Sequence, residues 1–69
     1  MAKSEIDALF EELANIIANG PVWPGDTISH RTADECVRRG WAERDSSGSF
    51  VSTASGEMLA DQYGLMGDD

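Results

Sequence analysis

The chain has 69 residues, of which 13 are Asp or Glu and five are Lys or Arg, for a formal net charge of −8. Such a length holds one domain, residues 1–69, which buries only about 60% of the surface its unfolded chain exposes. The charge repels phosphate at long range, which weighs against a general nucleic-acid-binding surface and suits a basic protein partner, or solubility alone.

A hydrophobic fraction of 41% and a charged fraction of 26% are those of a globular chain. Cys36 is the only cysteine. It can form neither an internal disulfide nor a CxxC metal site, and it fits a reducing compartment. No apolar run approaches the ~20 residues of a membrane span. The opening MAKSEIDALFEEL lacks the apolar centre of a signal peptide. The expectation is a cytoplasmic protein. A core this small and without a disulfide needs efficient packing or a second subunit, so a homodimer through the first or last helix is also expected.

Ser4 to Asn19 reads as an amphipathic helix. Ile6, Leu9, Phe10, Leu13, Ile16 and Ile17 follow the three-and-four spacing of a buried stripe. Ser4 caps the first turn, with Asp7 three residues on. Gly20 is placed to take a left-handed C′ conformation, and Pro21 stops the helix. Glu5, Glu11 and Glu12 are assigned to the exposed face. Pro21 to Asp26 is a connector whose two prolines exclude regular helix. Its Val22 and Trp23 either fold back on the core or, for Trp23, anchor a partner.

The next helix has two candidate starts. Asp26 or Thr27 can cap a helix running to Arg39, or Thr32 can begin a shorter one with Glu35 completing a T-x-x-E box; the box favours the second. Ala33, Cys36 and Val37 point inward. Gly40 ends this helix and Trp41 packs just after. Trp41–Arg44 and Ser49–Ser52 read as two short strands around an Asp45-Ser46-Ser47-Gly48 turn. The hairpin leans on the helices through Trp41 and one of Phe50 or Val51. Thr53 caps a last helix, Ala54 to Tyr63, with Met58, Leu59 and Tyr63 as its stripe and Gly64 as its end. Residues 1–3 and 67–69 are expected to fray. The fold class is therefore α+β, mainly α: an N-terminal helix, a short second helix, a two-stranded hairpin and a C-terminal helix.

The run from Thr32 to Asp45, TADECVRRGWAERD, resembles winged-helix regulators where the recognition helix ends in an Arg-Gly-apolar turn and enters the wing. Phe50 to Glu57, FVSTASGE, is similar to the wing's return strand and the threonine-capped helix after it. That family commonly reads Leu-Thr-x-x-Gly there, and Ser52 stands in place of the leucine. The resemblance implies a winged-helix-like domain. It also requires a helix before the recognition helix, from the proline-rich stretch 21–31. Asp34 and Glu35 stand near the N-terminus of the recognition helix, the part that would meet base edges, and they repel phosphate.

Four of the five basic residues, Arg31, Arg38, Arg39 and Arg44, fall between positions 31 and 44. They are the candidate nucleic-acid contacts. They also have structural uses: Asp34 stands four residues before Arg38 and Glu35 four before Arg39, the spacing of helical ion pairs. His30, Asp34 and Cys36 are too few for a metal site, and no nucleophile has a base in view. No cofactor, metal site or enzymatic activity is expected. Two functions remain. The first is a small acidic module or inhibitor that docks on a larger protein, itself a candidate nucleic-acid binder. Its interface candidates are Glu5, Glu11, Glu12, Trp23, Asp34, Glu35, Phe50 and Met66. In type it resembles phage-encoded host-takeover and anti-defence proteins, some of which present carboxylates in place of phosphates. The second is a dimeric winged-helix DNA-binding transcription regulator.

Overall fold

A computed structural model of the chain describes residues 4–65. The elements are helix α1 (Glu5–Asn19), a 3₁₀ turn (Pro24–Asp26), α2 (His30–Arg38), strands β1 (Ala42–Arg44) and β2 (Phe50–Ser52), and α3 (Ala54–Tyr63). The class is α+β, mainly α, in the expected order. No helix among the described residues is long and apolar enough to cross a membrane. Residues 1–3, 67–69 and Met66 lie outside the described residues.

Helix α1 begins where the sequence puts it, with Ser4 Oγ accepting from the Asp7 amide at 3.2 Å. Leu9, Leu13 and Ile16 are buried, Phe10 and Ile17 half-buried, and Ile6 is left exposed at the end of the stripe. The exit departs from expectation. Gly20 is extended, at φ −61° and ψ 146°, rather than left-handed, and leads directly into Pro21.

The fate of Glu12 also departs from expectation. It is fully buried, not on the exposed face. With 3.6 residues per turn, position 12 falls between 9 and 16 on the same stripe, so the helix carries it inward. Its carboxylate is satisfied there. Oε1 accepts from the Ser29 amide at 3.0 Å and the Thr32 hydroxyl at 2.7 Å, and Oε2 accepts from Asn15 Nδ2 at 3.0 Å.

These partners define the start of α2. Helix α2 begins at His30, earlier than the Thr32 start, and its cap is Ser29, whose Oγ accepts from the Thr32 amide at 3.1 Å. Thr32 is the third helical residue, and its hydroxyl turns to Glu12 instead of capping. The stretch before it holds one 3₁₀ turn and no helix. Ala33 and Cys36 are buried against α1.

The chain leaves α2 through Gly40 at φ +80°, a conformation that a side chain disfavours. The Trp41 amide donates to the Cys36 carbonyl at 2.9 Å, and β1 follows. Strands β1 and β2 pair antiparallel, with Glu43 opposite Val51. Val22 adds a bridge to the other edge of β2, exchanging backbone hydrogen bonds with Phe50 at 2.9 and 2.7 Å. Phe50 is thus held on both sides and buried, as are Val22 and Ala42.

Helix α3 starts and ends as expected. Thr53 Oγ1 accepts from the Gly56 amide and donates to the Gly40 carbonyl, and Gly64 is left-handed at φ +65°. The stripe is different from the expected one. Gly56 and Ala60 are the buried residues and Leu59 is half-buried, whereas Met58 and Tyr63 are 71% and 60% exposed. Small residues one turn apart let the helix approach the Trp41 backbone, which places the bulky Met58 outside. A Cβ at Gly56 would overlap the Trp41 carbonyl oxygen. Gly56→Ala is therefore expected to destabilise the fold by about 1–3 kcal/mol through backbone displacement, measured by urea unfolding. Ala54→Gly, at an exposed position of the same helix, serves as the reference, with an expected loss of up to about 1 kcal/mol.

Candidate protein interface

The arginines of residues 31–44 are drawn into contacts with the protein itself. Arg31 lies 3.8 Å from Glu5, with both side chains mostly in solvent, a geometry of small energetic value. Glu35 receives both Arg38, at 3.4 Å, and Arg39, at 3.0 Å. The expected pairing of Asp34 with Arg38 does not form: Arg38 turns to Glu35, three residues back, and Asp34 is exposed. The Arg39 guanidinium also lies 5.4 Å from the centre of the Trp41 ring. Arg44 donates to the Gly48 carbonyl at 3.1 Å and covers the Phe50 ring at 4.9 Å, so it braces the hairpin from outside.

The interface candidates other than Met66, which lies outside the described residues, divide into a surface set and a core set. Glu5, Glu11, Asp34 and Trp23 are exposed, and Glu35 is half-buried under its arginines. Trp23 is 48% exposed while Val22 beside it is buried, so only one of the two connector residues folds back. Glu12 and Phe50 belong to the core and cannot meet a partner. Phe50 is unavailable because it is buried, with its backbone N–H and C=O both bonded to Val22 and its ring beneath Arg44. For Glu12 the sequence did hold a signal, its i, i+3, i+7 register with Leu9 and Ile16. Ile6, Ile28, Met58 and Tyr63 are also exposed. None of them is among the interface candidates: the spacing puts Ile6, Met58 and Tyr63 in helix stripes, and Ile28 lies in the loose turn before the second helix.

The tip of the hairpin is a tight carboxylate-centred loop. Asp45 Oδ1 accepts from the Ser47 hydroxyl at 2.6 Å and from the amides of Ser47 and Ser49 at 2.9 and 3.1 Å. Oδ2 accepts from the Ser49 hydroxyl at 2.8 Å. These bonds, led by the Ser47 and Ser49 hydroxyls, hold the Asp45 carboxyl down at about 2. The tip therefore carries a fixed negative charge. Cys36 is buried, with Sγ 3.7 Å from the Leu9 carbonyl. Burial, with a contribution from Glu12, pushes its thiol up to about 11, which makes it a poor nucleophile and a poor metal ligand. His30 is exposed, and among the described residues no group of three or more His, Cys, Asp or Glu side chains is arranged to hold a metal ion.

Shallow depressions among the described residues include three. One, of about 360 Å³, lies between α1 and α2 beside Arg31 and Glu5. A second lies between the end of α1 and the connector. The third, of about 350 Å³, lies along α1 and is lined by Asp7, Phe10, Glu11, Ala14 and Leu65. No family model, curated protein sequence or solved structure matches the chain.

The pH dependence of the loop follows from the depressed Asp45 pKa. A carboxyl whose folded pKa lies below its unfolded value near 3.9 stabilises the fold above that value and loses the contribution as pH falls through the folded pKa. Stability is thus expected to decline between about pH 4 and pH 2. Carboxyl-detected NMR should place the Asp45 midpoint at about 2, and Asp45→Asn should flatten the acid limb of the stability curve.

Proposed function

We propose that this chain is a small acidic protein-binding module or inhibitor on a winged-helix-like scaffold, acting on a larger partner. The observation that carries the reading is the engagement of the arginines. Arg38 and Arg39 converge on Glu35, Arg44 braces the wing, and Arg31 faces Glu5. A net charge of −8 is left over them. A protein surface that neutralises its own cations offers little to a phosphate backbone. The fixed charge of Asp45 at the wing tip and the exposed Asp34 on α2 add to the repulsion.

The scaffold reading is supported by the order α2, turn at Gly40, hairpin, threonine-capped α3, and by Val22 lying on the outer edge of β2 as a minimal third strand. The departure is the single 3₁₀ turn where such domains carry a helix. A shortened unit of this kind suits docking better than groove reading. Its partner is a protein with a basic surface, which includes the nucleic-acid-binding surface of a host or defence protein. In that setting the carboxylates stand where phosphates would.

A dimeric DNA-binding regulator is the second reading, favoured by the 87% and 78% exposure of the Arg31 and Arg38 side chains. The two readings separate in one titration. Random-sequence duplex DNA is added at about 50 mM salt, where non-specific binders of duplex hold it with micromolar or tighter affinity. The module reading predicts no complex at micromolar protein. A complex that weakens steeply with salt contradicts it.

A further inference from the structure

The connector between α1 and α2 is held at both ends and leaves two large apolar side chains outside. At its start Val22 is buried and exchanges two backbone hydrogen bonds with Phe50. At its end the Ser29 amide donates to the buried Glu12 carboxylate at 3.0 Å. Between these anchors the loop is closed on itself. The Asp26 amide donates to the Trp23 carbonyl at 2.8 Å, and the Thr27 hydroxyl donates to the Pro24 carbonyl at 2.8 Å. Asn15 of α1 donates to the Asp26 carbonyl at 3.4 Å, and Pro24 fixes its own φ. Trp23 and Ile28 are nevertheless 48% and 54% exposed. The other exposed apolar side chains are placed differently: Ile6 stands on α1, Met58 on α3, and Tyr63 stacks on Phe10 at 5.3 Å.

We infer that this loop is the anchor by which the protein docks, with Trp23 and Ile28 entering an apolar cleft of the partner protein whose rim carries Lys or Arg. The apolar cleft follows from the exposed pair. The loop backbone is already ordered in the free protein, so binding loses little conformational freedom there. Buried tryptophans are also among the side chains that contribute most to interfaces. The basic rim follows from charge. Asp26, which is exposed, is the only charged residue from Trp23 to Ser29, and the chain as a whole carries −8. The face of the indole attracts cations as well. Charge complementarity selects this occupant over others. A second copy of this chain brings another −8, an anionic lipid surface repels the protein, and a nucleic acid brings phosphates. The inference rests on the protein-binding reading and names both the docking element and the chemistry of the partner's surface.

The probes are three peptides of equal length, alternating leucine with arginine, leucine with glutamate, or serine with arginine. Each is titrated into isotope-labelled protein at physiological salt, where bare charge attraction is screened. Expected are saturable shifts centred on residues 22–29 with the leucine–arginine peptide, including the Trp23 indole N–H, while that of Trp41 stays in place. The other two peptides should bind at least about tenfold more weakly. Trp23→Ala and Ile28→Ser should each weaken the leucine–arginine complex about tenfold. Met58→Ser, at an exposed apolar position of α3, should leave it unchanged, and circular dichroism checks that each variant is folded. An equally tight complex with either control peptide, shifts centred elsewhere, an equal loss for Met58→Ser, or no complex at all would overturn the loop as the anchor while leaving the protein-binding reading intact. That reading falls only to the DNA titration above.

Discussion

The Glu12 carboxylate is the contact on which the arrangement of this small fold depends. A carboxylate without hydrogen bonds in a protein interior costs several kcal/mol. Here it is spent where it does the most. Glu12 accepts from the Ser29 amide, the capping residue of α2, and from the Thr32 hydroxyl in the first turn of that helix. In a capping box an acidic side chain of the same helix reaches back to the cap amide. In this protein the acid comes from another helix, 17 residues earlier. It also sits at the positive end of the α2 dipole. The start of α2 is thereby tied to the middle of α1.

The remaining contacts follow from that placement. With α2 fixed, Ala33 and Cys36 close on Leu9 and Leu13. The turn at Gly40 then delivers Trp41 to the point where Phe10 can stack on it and where Gly56 lets α3 approach. Phe50 is clamped between β1 and Val22, which joins the hairpin to the connector after α1. Small residues (Ala33, Gly56) and a hydrogen-bonded carboxylate (Glu12) stand at these joints beside the aromatic contacts of Phe10, Trp41 and Phe50. The aromatic residues that do not fit inside, Trp23 and Tyr63, stand on the surface with Ile28 and Met58.

The local signals in the sequence carried the elements. Ser4 and Thr53 as caps, Gly64 as a stop and the Asp45–Gly48 turn all act through neighbours within a few residues, so spacing alone revealed them. Signals that act across the fold were not legible. Thr32 looked like a cap because Glu35 stands three residues on, but its hydroxyl is used by Glu12, twenty residues away. Met58 looked like core because it is bulky, but α3 packs through Gly56 and Ala60, and close approach is a property of two backbones. Gly20 is extended because the chain must bring Val22 to β2. For the site, the engaged arginines were half visible as i,i+4 pairs, and the actual pairing turned on Glu35 serving two of them. The burial of Glu12 is legible in its register with Leu9 and Ile16, but its partners Ser29 and Thr32 could be placed only once α1 and α2 were brought together.

Urea unfolding of Glu12→Ala tests the central role of this carboxylate most directly. Removal leaves the Ser29 amide and Thr32 hydroxyl without their acceptor and opens a void in the packed stripe. The expected loss is about 2–4 kcal/mol, enough in a domain this small to weaken or abolish the cooperative transition. Glu43→Ala, on the exposed face of β1, should change stability by less than about 0.5 kcal/mol. A Glu12→Ala protein that unfolds cooperatively within about 0.5 kcal/mol of the parent would contradict the account.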